Sequence, residues 1–228
     1  MENVRDHCAT HEHAVTVVVV RHGQTHWNEQ GRWQGRLDSP LTELGRQQAQ
    51  EARKIIAEYP IQLAYSSDAG RALETVRILL GDDAAVSLFT HPALRERDYG
   101  VYEGLTAAEI EQLYPGTRFH DVGGSRETWA PPRGETMAEV RERLRLFLLD
   151  LAAAHAGQTV LLVTHSGIVR ALDSLCRGES FDAIWHRVPQ NAAVYVARVH
   201  PDGRFERVWD NLPTDAAPVN IATIAPTQ

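Results

Sequence analysis

Apolar residues along the chain alternate between short β-branched runs and amphipathic stretches. Residues 14–20 are apolar on both alternating faces, which is typical of a central strand covered on both sides. Two segments, residues 193–199 and 204–209, flank the turn at residues 200–203 and predict a closing β-hairpin. Further strands are predicted at residues 61–66, 85–90 and 159–164.

Helical patterns separate these strands. Thr42 is a predicted N-cap for a helix through about Glu58, in which five apolar residues share one face: Leu44, Ala49, Ala52, Ile55 and Ile56. Capping boxes open two more helices, at Thr106-Ala-Ala-Glu109 and Thr136-Met-Ala-Glu139. Other helices are predicted at residues 69–80 and from Gly167 onward. Strands that alternate with helices predict an α/β fold with a largely parallel sheet, helices on both faces and an antiparallel edge.

The length of 228 residues fits one large domain. We expect it to span residues 14–211, between a polar, disordered leader at residues 1–13 and a Pro-, Ala- and Thr-rich tail of low order at residues 212–228. Hydrophobic residues make up 43% of the chain, a fraction that excludes disorder for most of it.

Charge and apolar run length exclude several function classes. The net charge of −7 argues against a general nucleic-acid binder, although it allows a small anionic substrate held by a few arginines. The run at residues 14–20 is far shorter than the roughly 20 residues of a membrane span, and no signal peptide is expected. Two cysteines are too few for a disulfide scaffold and favour a cytoplasmic location. An exposed sheet edge permits a homodimer.

Charged and imidazole side chains follow three predicted strands at the points where the strands end. The first strand continues into Arg21 and His22, and Arg71 opens the helix after the second strand. The strand at residues 159–164 is followed directly by His165 at the start of a helix. Because ligands in such sheets bind beyond the carboxyl ends of the strands, we expect these four side chains to form one pocket.

Two arginines and a helix N-terminus favour a dianion, and phosphate is the commonest ligand of this kind. The chain contains no GxxxxGK[ST] pattern, so a nucleotide site with magnesium is not expected. A neutral imidazole directed at the phosphorus acts as a nucleophile, and a second histidine, if cationic, stabilises charge on the phosphoryl oxygens. The residues therefore predict phosphoryl chemistry at this edge of the sheet.

The segment Arg21-His22-Gly23-Gln24-Thr25-His26-Trp27-Asn28 resembles the RHG signature of the histidine phosphatase superfamily, in its phosphoglycerate-mutase-like branch. The resemblance covers roughly residues 14–200 and rests on an ordered set of motifs. They are Trp33-Gln34-Gly35, Leu41-Thr42-Glu43-Leu44-Gly45, Ser66-Ser67-Asp68 with Arg71-Ala72 and Glu74-Thr75, Leu94-Arg95-Glu96, Tyr102-Glu103-Gly104, Gly134-Glu135-Thr136 and Val163-Thr164-His165-Ser166-Gly167. It implies a three-layer α/β/α sandwich.

The resemblance also implies a role for each matching position. His22 is the expected nucleophile, and Glu96 the expected proton donor to the leaving oxygen and later the base toward water. The expected ligands of the transferring phosphoryl group are Arg21, Arg71 and His165, with the amide of Ser166 or Gly167 nearby. The entrance on the phosphate side is lined by Asn28, Gln34 and Gly35. No metal and no cofactor is implied, and the expected partner is a small phosphorylated metabolite.

Members of this branch divide between phosphatases and cofactor-dependent phosphoglycerate mutases. Mutases carry Glu-Arg-His-Tyr-Gly and, downstream, a lysine that contacts the second anionic end of a bisphosphate. Here the matching stretch is Glu96-Arg97-Asp98-Tyr99-Gly100, and Ala107 aligns with that lysine. The paired mutase arginines have no clear counterpart near Arg133. We therefore expect a phosphatase. A mutase is the alternative, and a catalytically inactive interaction domain of the same fold is a third hypothesis.

The longest irregular stretch predicted from the sequence is residues 115–134. Loops of this length in compact domains commonly act as lids or binding loops. It is a candidate for shaping substrate choice.

Overall fold

The computed structural model describes residues 14–81 and 85–212. The predicted leader, and the predicted tail beyond its first residue, lie outside the described residues. That first residue, Leu212, is buried among the core side chains, with 6% of its surface exposed. The core thus extends one residue into the segment predicted as tail.

A mixed sheet forms the centre of the described chain, in the order β3-β2-β4-β1-β5-β6. β1 pairs in parallel with β4, β4 with β2, and β2 with β3. β5 is antiparallel to both β1 and β6, which confirms the antiparallel edge. The strands are β1 Val15–Arg21, β2 Leu63–Ser66, β3 Ser87–Thr90, β4 Thr159–Thr164, β5 Val194–Val199 and β6 Phe205–Asp210.

Seven α-helices occur among the described residues. They are α1 His26–Glu29, α2 Glu43–Ile56, α3 Gly70–Leu80, α4 Ala107–Leu113, α5 Phe119–Val122, α6 Met137–Ala154 and α7 Ser166–Arg177. Short 3₁₀ helices span Pro92–Leu94 and Gly100–Tyr102. The predicted capping boxes form at Thr106 and Thr136, and Thr42 accepts a hydrogen bond from the Gly45 amide as N-cap of α2. None of these helices is long and apolar enough to cross a membrane.

Side chains of β1 contribute to two hydrophobic clusters, one on each face of the sheet. Val15, Val17 and Val19 pack in one cluster with residues of α6 and α7. Val18 and Val20 pack in a second cluster, on the opposite face, with residues of α2 and α3. Because successive residues of a strand point to opposite faces, this division confirms the three-layer α/β/α sandwich.

The packed face of α2 differs from the predicted one at its first turn. Leu44 is 49% exposed, whereas Gly45, Ala49, Ala52 and Ile56 are buried. Gly45 contacts the loop that follows β1, and a Cβ atom at this position would lie 2.1 Å from the backbone oxygen of Gln24. The close backbone contact rotates Gly45 inward and Leu44 toward the surface.

The register of the sheet brings the predicted strand ends together. Arg21, the last residue of β1, is paired with Thr164, the last residue of β4. Ser66, the last residue of β2, is paired with Val163. His22, Ser67 and His165 therefore leave the sheet at the same edge.

Adding a methyl group at Gly45 should separate α2 from the loop after β1. For Gly45→Ala we expect a loss of about 1–3 kcal/mol in the free energy of unfolding, because the new Cβ overlaps backbone atoms. Urea unfolding followed by circular dichroism measures this loss. The exposed Gln47→Ala on the same helix is the matched control, with a change within about 0.5 kcal/mol. Equal stability of the two variants would show that the backbone contact is not tight.

Candidate active site

The five side chains expected to carry the chemistry lie together at the carboxyl edge of the sheet. Arg21 ends β1 and His22 follows it, while Arg71 lies in the first turn of α3. Glu96 follows the 3₁₀ helix Pro92–Leu94, and His165 is the N-cap residue of α7. The His22 and His165 rings meet edge to face, with centroids 5.2 Å apart. The structure thus brings all five predicted residues into one site.

A neighbouring backbone carbonyl fixes which ring nitrogen of His22 carries the proton. The Nδ1 atom lies 2.7 Å from the Gly23 carbonyl oxygen, which only accepts hydrogen bonds, so Nδ1 carries the proton and Nε2 the lone pair. Burial, reinforced by the Arg71 and Arg21 charges, holds the pKa of His22 well below its usual value of 6.5. The imidazole is therefore neutral at pH 7, with its lone pair on Nε2.

His165 presents its other nitrogen to the site. Its Nε2 atom lies 2.8 Å from Ser67 Oγ, and that hydroxyl oxygen accepts a hydrogen bond from the Ala69 amide. With the Ser67 hydroxyl assigned as the donor to Nε2, His165 keeps its ring proton on Nδ1 and presents it as a donor. Burial, together with Arg71 and His22, holds the pKa of His165 well below 6.5. In the free site His165 is thus a neutral donor, and the cationic form that the sequence left open is disfavoured.

The two arginines are held by backbone carbonyl groups. Arg71 donates to the oxygens of Leu37 at 2.7 Å and Gly35 at 2.9 Å, and it pairs with Asp38 at 2.9 Å. Arg21 donates to the Pro189 oxygen at 2.5 Å. Burial lowers the pKa of Arg21 to about 10, so it stays a cation at pH 7. Arg21 is thus held by a neutral acceptor, whereas Arg71 is held by two neutral carbonyls and one carboxylate.

Three buried donor atoms around His22 lack hydrogen-bond partners within the part of the chain that is described. They are Arg21 Nε, Arg71 Nε and His165 Nδ1. A buried donor without an acceptor costs about 1–3 kcal/mol, so such groups rarely cluster without a reason. A tetrahedral dianion supplies oxygen acceptors for all three at once.

Glu96 lies against the N-terminus of α7. Its Oε1 accepts from the Arg97 amide at 2.8 Å and the Gly167 amide at 3.1 Å, and Oε2 lies 3.3 Å from the Gly167 amide. Arg143 fixes the backbone beneath it by donating to the carbonyls of Ala93, Arg95 and Glu96. The Oε2 atom has the longer contact and is the less engaged of the two carboxylate oxygens.

The remaining predicted site residues lie at the same cleft with different contacts. Asn28 Oδ1 accepts from Thr25 and from Asn191 Nδ2, which leaves its own Nδ2 group as the donor toward a ligand. Gln34 has a buried Oε1 without a partner, and the Gly35 carbonyl holds Arg71. Ser166 lines the cleft, but the Gly167 amide donates to Glu96 in the free site.

The cleft consists of two cavities that meet at Gly35 and Glu96. The smaller, of about 330 Å³, is lined by Arg21, His22 and Arg71 together with Asn28, Gln34, Ser166 and others. The larger, of about 590 Å³, is lined by His165 and Ser67 and by charged residues of both signs: Arg36, Asp38, Asp68, Arg95 and Asp98. Glu96 therefore stands between the phosphate-binding side and a larger polar chamber.

Several residues that organise the site were not singled out from the sequence as site residues. Ser67 sets the tautomer of His165, and Asp38 pairs with Arg71. Pro189 and Asn191 reach the site from near the other end of the chain. Ser67 belongs to the quoted motif Ser66-Ser67-Asp68 and Asp38 lies near another motif, whereas no local pattern links residues 189–191 to Arg21.

The irregular segment at residues 115–134 is packed against the rest of the chain. It contains the one-turn helix α5, and its Arg126 guanidinium lies 4.8 Å from the Trp185 ring centroid. Ser125 and the Arg126 amide bond to Asp182. Trp129 accepts a hydrogen bond from Arg97 at 2.6 Å, which connects the segment to the residue after Glu96.

The low pKa values of the two imidazoles should be visible by NMR. The spectra of His22→Gln and His165→Gln each lack one imidazole signal, which assigns that signal to the replaced residue. In the wild type we expect the two assigned signals not to titrate between pH 8 and pH 6.5. Unfolded histidines take up protons near 6.5, so the free energy of unfolding should decrease as the pH falls below that value. Titration of either signal with a midpoint at or above 6.5 would contradict the burial argument.

Comparison with known proteins agrees with this geometry. Residues 17–212 match the histidine phosphatase superfamily (branch 1). A glucosyl-3-phosphoglycerate phosphatase of Mycolicibacterium vanbaalenii is 36% identical over 173 residues, 73% of this chain and 76% of that protein. Phosphoglycerate mutase-like protein 4 of Arabidopsis thaliana is 35% identical over 157 residues, 68% of each chain.

The fold is shared with solved structures of the same family. The structure of Bacillus stearothermophilus YhfR superposes with a TM-score of 0.78 at 34% identity, covering 86% of this chain and 96% of that one. The chain therefore belongs to the histidine phosphatase superfamily, branch 1, and is a phosphomonoester hydrolase of that family.

Proposed function

We propose that the protein hydrolyses a small phosphorylated metabolite without a metal ion, through a phosphohistidine on His22. One observation carries the proposal: a neutral histidine with a free Nε2 lone pair lies among three buried donors without partners. The lone pair is the nucleophile, and the donors match the oxygens of a phosphoryl group.

The reaction follows in two displacements. His22 Nε2 attacks phosphorus, the P–N bond forms, and the P–O bond to the leaving group breaks as Glu96 gives a proton to the departing oxygen. Water then enters and loses its proton to Glu96 while its oxygen attacks phosphorus. The P–N bond breaks, its electron pair returns to Nε2, and inorganic phosphate is released.

Charge on the phosphoryl oxygens is balanced by side chains. Arg21 and Arg71 supply two positive charges, and His165 Nδ1–H supplies a further donor. Magnesium supplies the corresponding charge in P-loop enzymes. The metal-independent reaction is supported by these fixed cations.

Hydrolysis is favoured over mutase activity because a mutase must hold a second anionic group. At the position of the mutase lysine, Ala107 is exposed at the start of α4, and Arg133 is also exposed. Arg32 lines the smaller cavity, but its guanidinium is paired with Glu109 at 2.7 Å. With Arg32 engaged by Glu109, the smaller cavity offers Arg21 and Arg71 to a single phosphoryl group.

The larger cavity suggests the chemistry of the leaving group. Its charged lining of both signs suits a hydroxylated or charged metabolite rather than an apolar one. A relative named glucosyl-3-phosphoglycerate phosphatase acts on a substrate of this polar kind. A cytoplasmic location and a homodimer remain predictions from the sequence.

The phosphoenzyme is the direct test of the proposal. We expect wild-type protein to hydrolyse p-nitrophenyl phosphate in EDTA and to form an acid-labile, base-stable phosphoprotein. His22→Ala should lower kcat by several orders of magnitude, as loss of a covalent nucleophile does, and should form no phosphoprotein. His155→Ala is the matched control, since His155 contacts Tyr65 and Gln158 away from the site. If the wild-type protein is folded but has no phosphatase activity, the result favours a catalytically inactive interaction domain. Activity that requires added metal would overturn the metal-free mechanism.

The role of Glu96 is tested by changing the leaving group. Glu96→Gln should slow single-turnover phosphorylation by an alkyl phosphate by about 10²–10⁴-fold, because an alkoxide needs a proton as it leaves. Phosphorylation by p-nitrophenyl phosphate should slow much less, since that phenolate leaves without help. Rapid-quench measurements on both substrates give the two ratios. Equal losses for the two substrates would remove Glu96 from the acid role.

A further inference from the structure

A segment near the end of the described chain passes over the phosphate-binding residues. We name residues 185–191 the strap. The Pro189 carbonyl accepts from Arg21 Nη1 at 2.5 Å. Asn191 Nδ2 donates to the His22 carbonyl at 3.3 Å and to Asn28 Oδ1 at 3.1 Å. Through these contacts the strap touches the nucleophile and two of its neighbours.

The strap has neither helical nor strand structure, and its local hydrogen bonds are turn contacts, from the Arg187 amide to the Ile184 oxygen and from the Val188 amide to the His186 oxygen. Its position depends on tertiary contacts. Arg187, at its centre, is 4% exposed and donates from Nε to Asp173 Oδ2 at 2.7 Å. Arg187 Nη2 also lies 3.7 Å from Asp210 Oδ1. The charged side chain points into the protein and anchors the segment there.

Asp173 is a fully buried carboxylate on α7, with 0% of its surface exposed. Its Oδ1 accepts from Tyr195 Oη at 3.0 Å and from Arg177 Nε at 2.9 Å. Asp173 lies eight positions after His165, or about 12 Å along the helix. The Arg187 anchor therefore attaches the strap to the same rigid helix that presents His165.

We propose that the Arg187–Asp173 ion pair is a positioning device for phosphoryl transfer: it fixes the strap on α7 so that Pro189 orients Arg21 relative to His22 and His165. The inference rests on the proposed function, because it assigns positioning residues to that site. The link joins two sides of the phosphate pocket, the end of β1 and the start of α7. Arg187 and Asp173 act through Arg21 without touching substrate.

The effect of breaking this link should appear in phosphate binding and catalysis. Arg187→Lys keeps the positive charge but replaces a planar guanidinium, which reaches Asp173 and Asp210 together, with a single ammonium. A shift of about 1 Å in a positioning group costs about 10²-fold in rate. We expect kcat/KM for p-nitrophenyl phosphate to fall by about 10²-fold and the Kd for inorganic phosphate to rise.

Arg177→Lys is the matched control. Arg177 contacts the same carboxylate, yet its side chain is 22% exposed, and it lies on α7 itself rather than on the strap. We expect kcat/KM and the phosphate Kd of this variant to stay close to the wild-type values. Asp173→Asn, which is isosteric, tests the same link from the other partner if Arg187→Lys yields too little folded protein.

Thermal unfolding of each variant separates a positioning role from a purely structural one. The proposal expects Arg187→Lys to lose far more activity than Arg177→Lys at temperatures where both are folded. Equal losses in the two variants, or an unchanged kcat/KM in folded Arg187→Lys and Asp173→Asn, would overturn it. Calorimetric binding of inorganic phosphate gives the same comparison without turnover. If the wild-type protein has no activity, the proposed function is refuted. The phosphate Kd values of the variants would still decide the role of the strap.

Discussion

The site depends on keeping one buried and one partly buried arginine beside two neutral imidazoles. Burial and the arginine charges disfavour imidazolium, and this keeps the His22 Nε2 lone pair available at physiological pH. Backbone carbonyls from Gly35, Leu37 and Pro189 orient the arginines, and the Asp38 carboxylate also pairs with Arg71. The same desolvation that disfavours a protonated nucleophile strengthens the attraction of the arginines for an anion.

Much of this arrangement follows from local sequence. Parallel strands whose carboxyl ends share one edge bring residues 21, 66 and 164 to the same place, and capping boxes give the starts of α4 and α6. The five central residues could be predicted because each directly follows a strand or belongs to a motif. At these five residues the position indicated by the local sequence pattern is also the position in the folded structure.

Other features depend on contacts that no local pattern encodes. Leu44 has the spacing of a core residue, but the backbone contact between Gly45 and Gln24 turns it outward. The Gly167 amide begins a helix and looks available to an anion, yet Glu96 occupies it in the free site. Pro189 contributes a carbonyl, which every residue has, so its amino-acid type gives no indication that it holds a side chain 168 positions away.

The unpartnered donors around His22 have a consequence for the end of the reaction. Inorganic phosphate carries the same kind of oxygen acceptors as a phosphoryl group, so the product of hydrolysis is a ligand for the same donors. A ligand that binds only the folded state adds RT ln(1 + [L]/Kd) to the free energy of unfolding, where [L] is the free ligand concentration. Bound phosphate therefore stabilises the folded protein. The donors that attract the substrate thus also bind the product, so free phosphate competes with the substrate for the pocket.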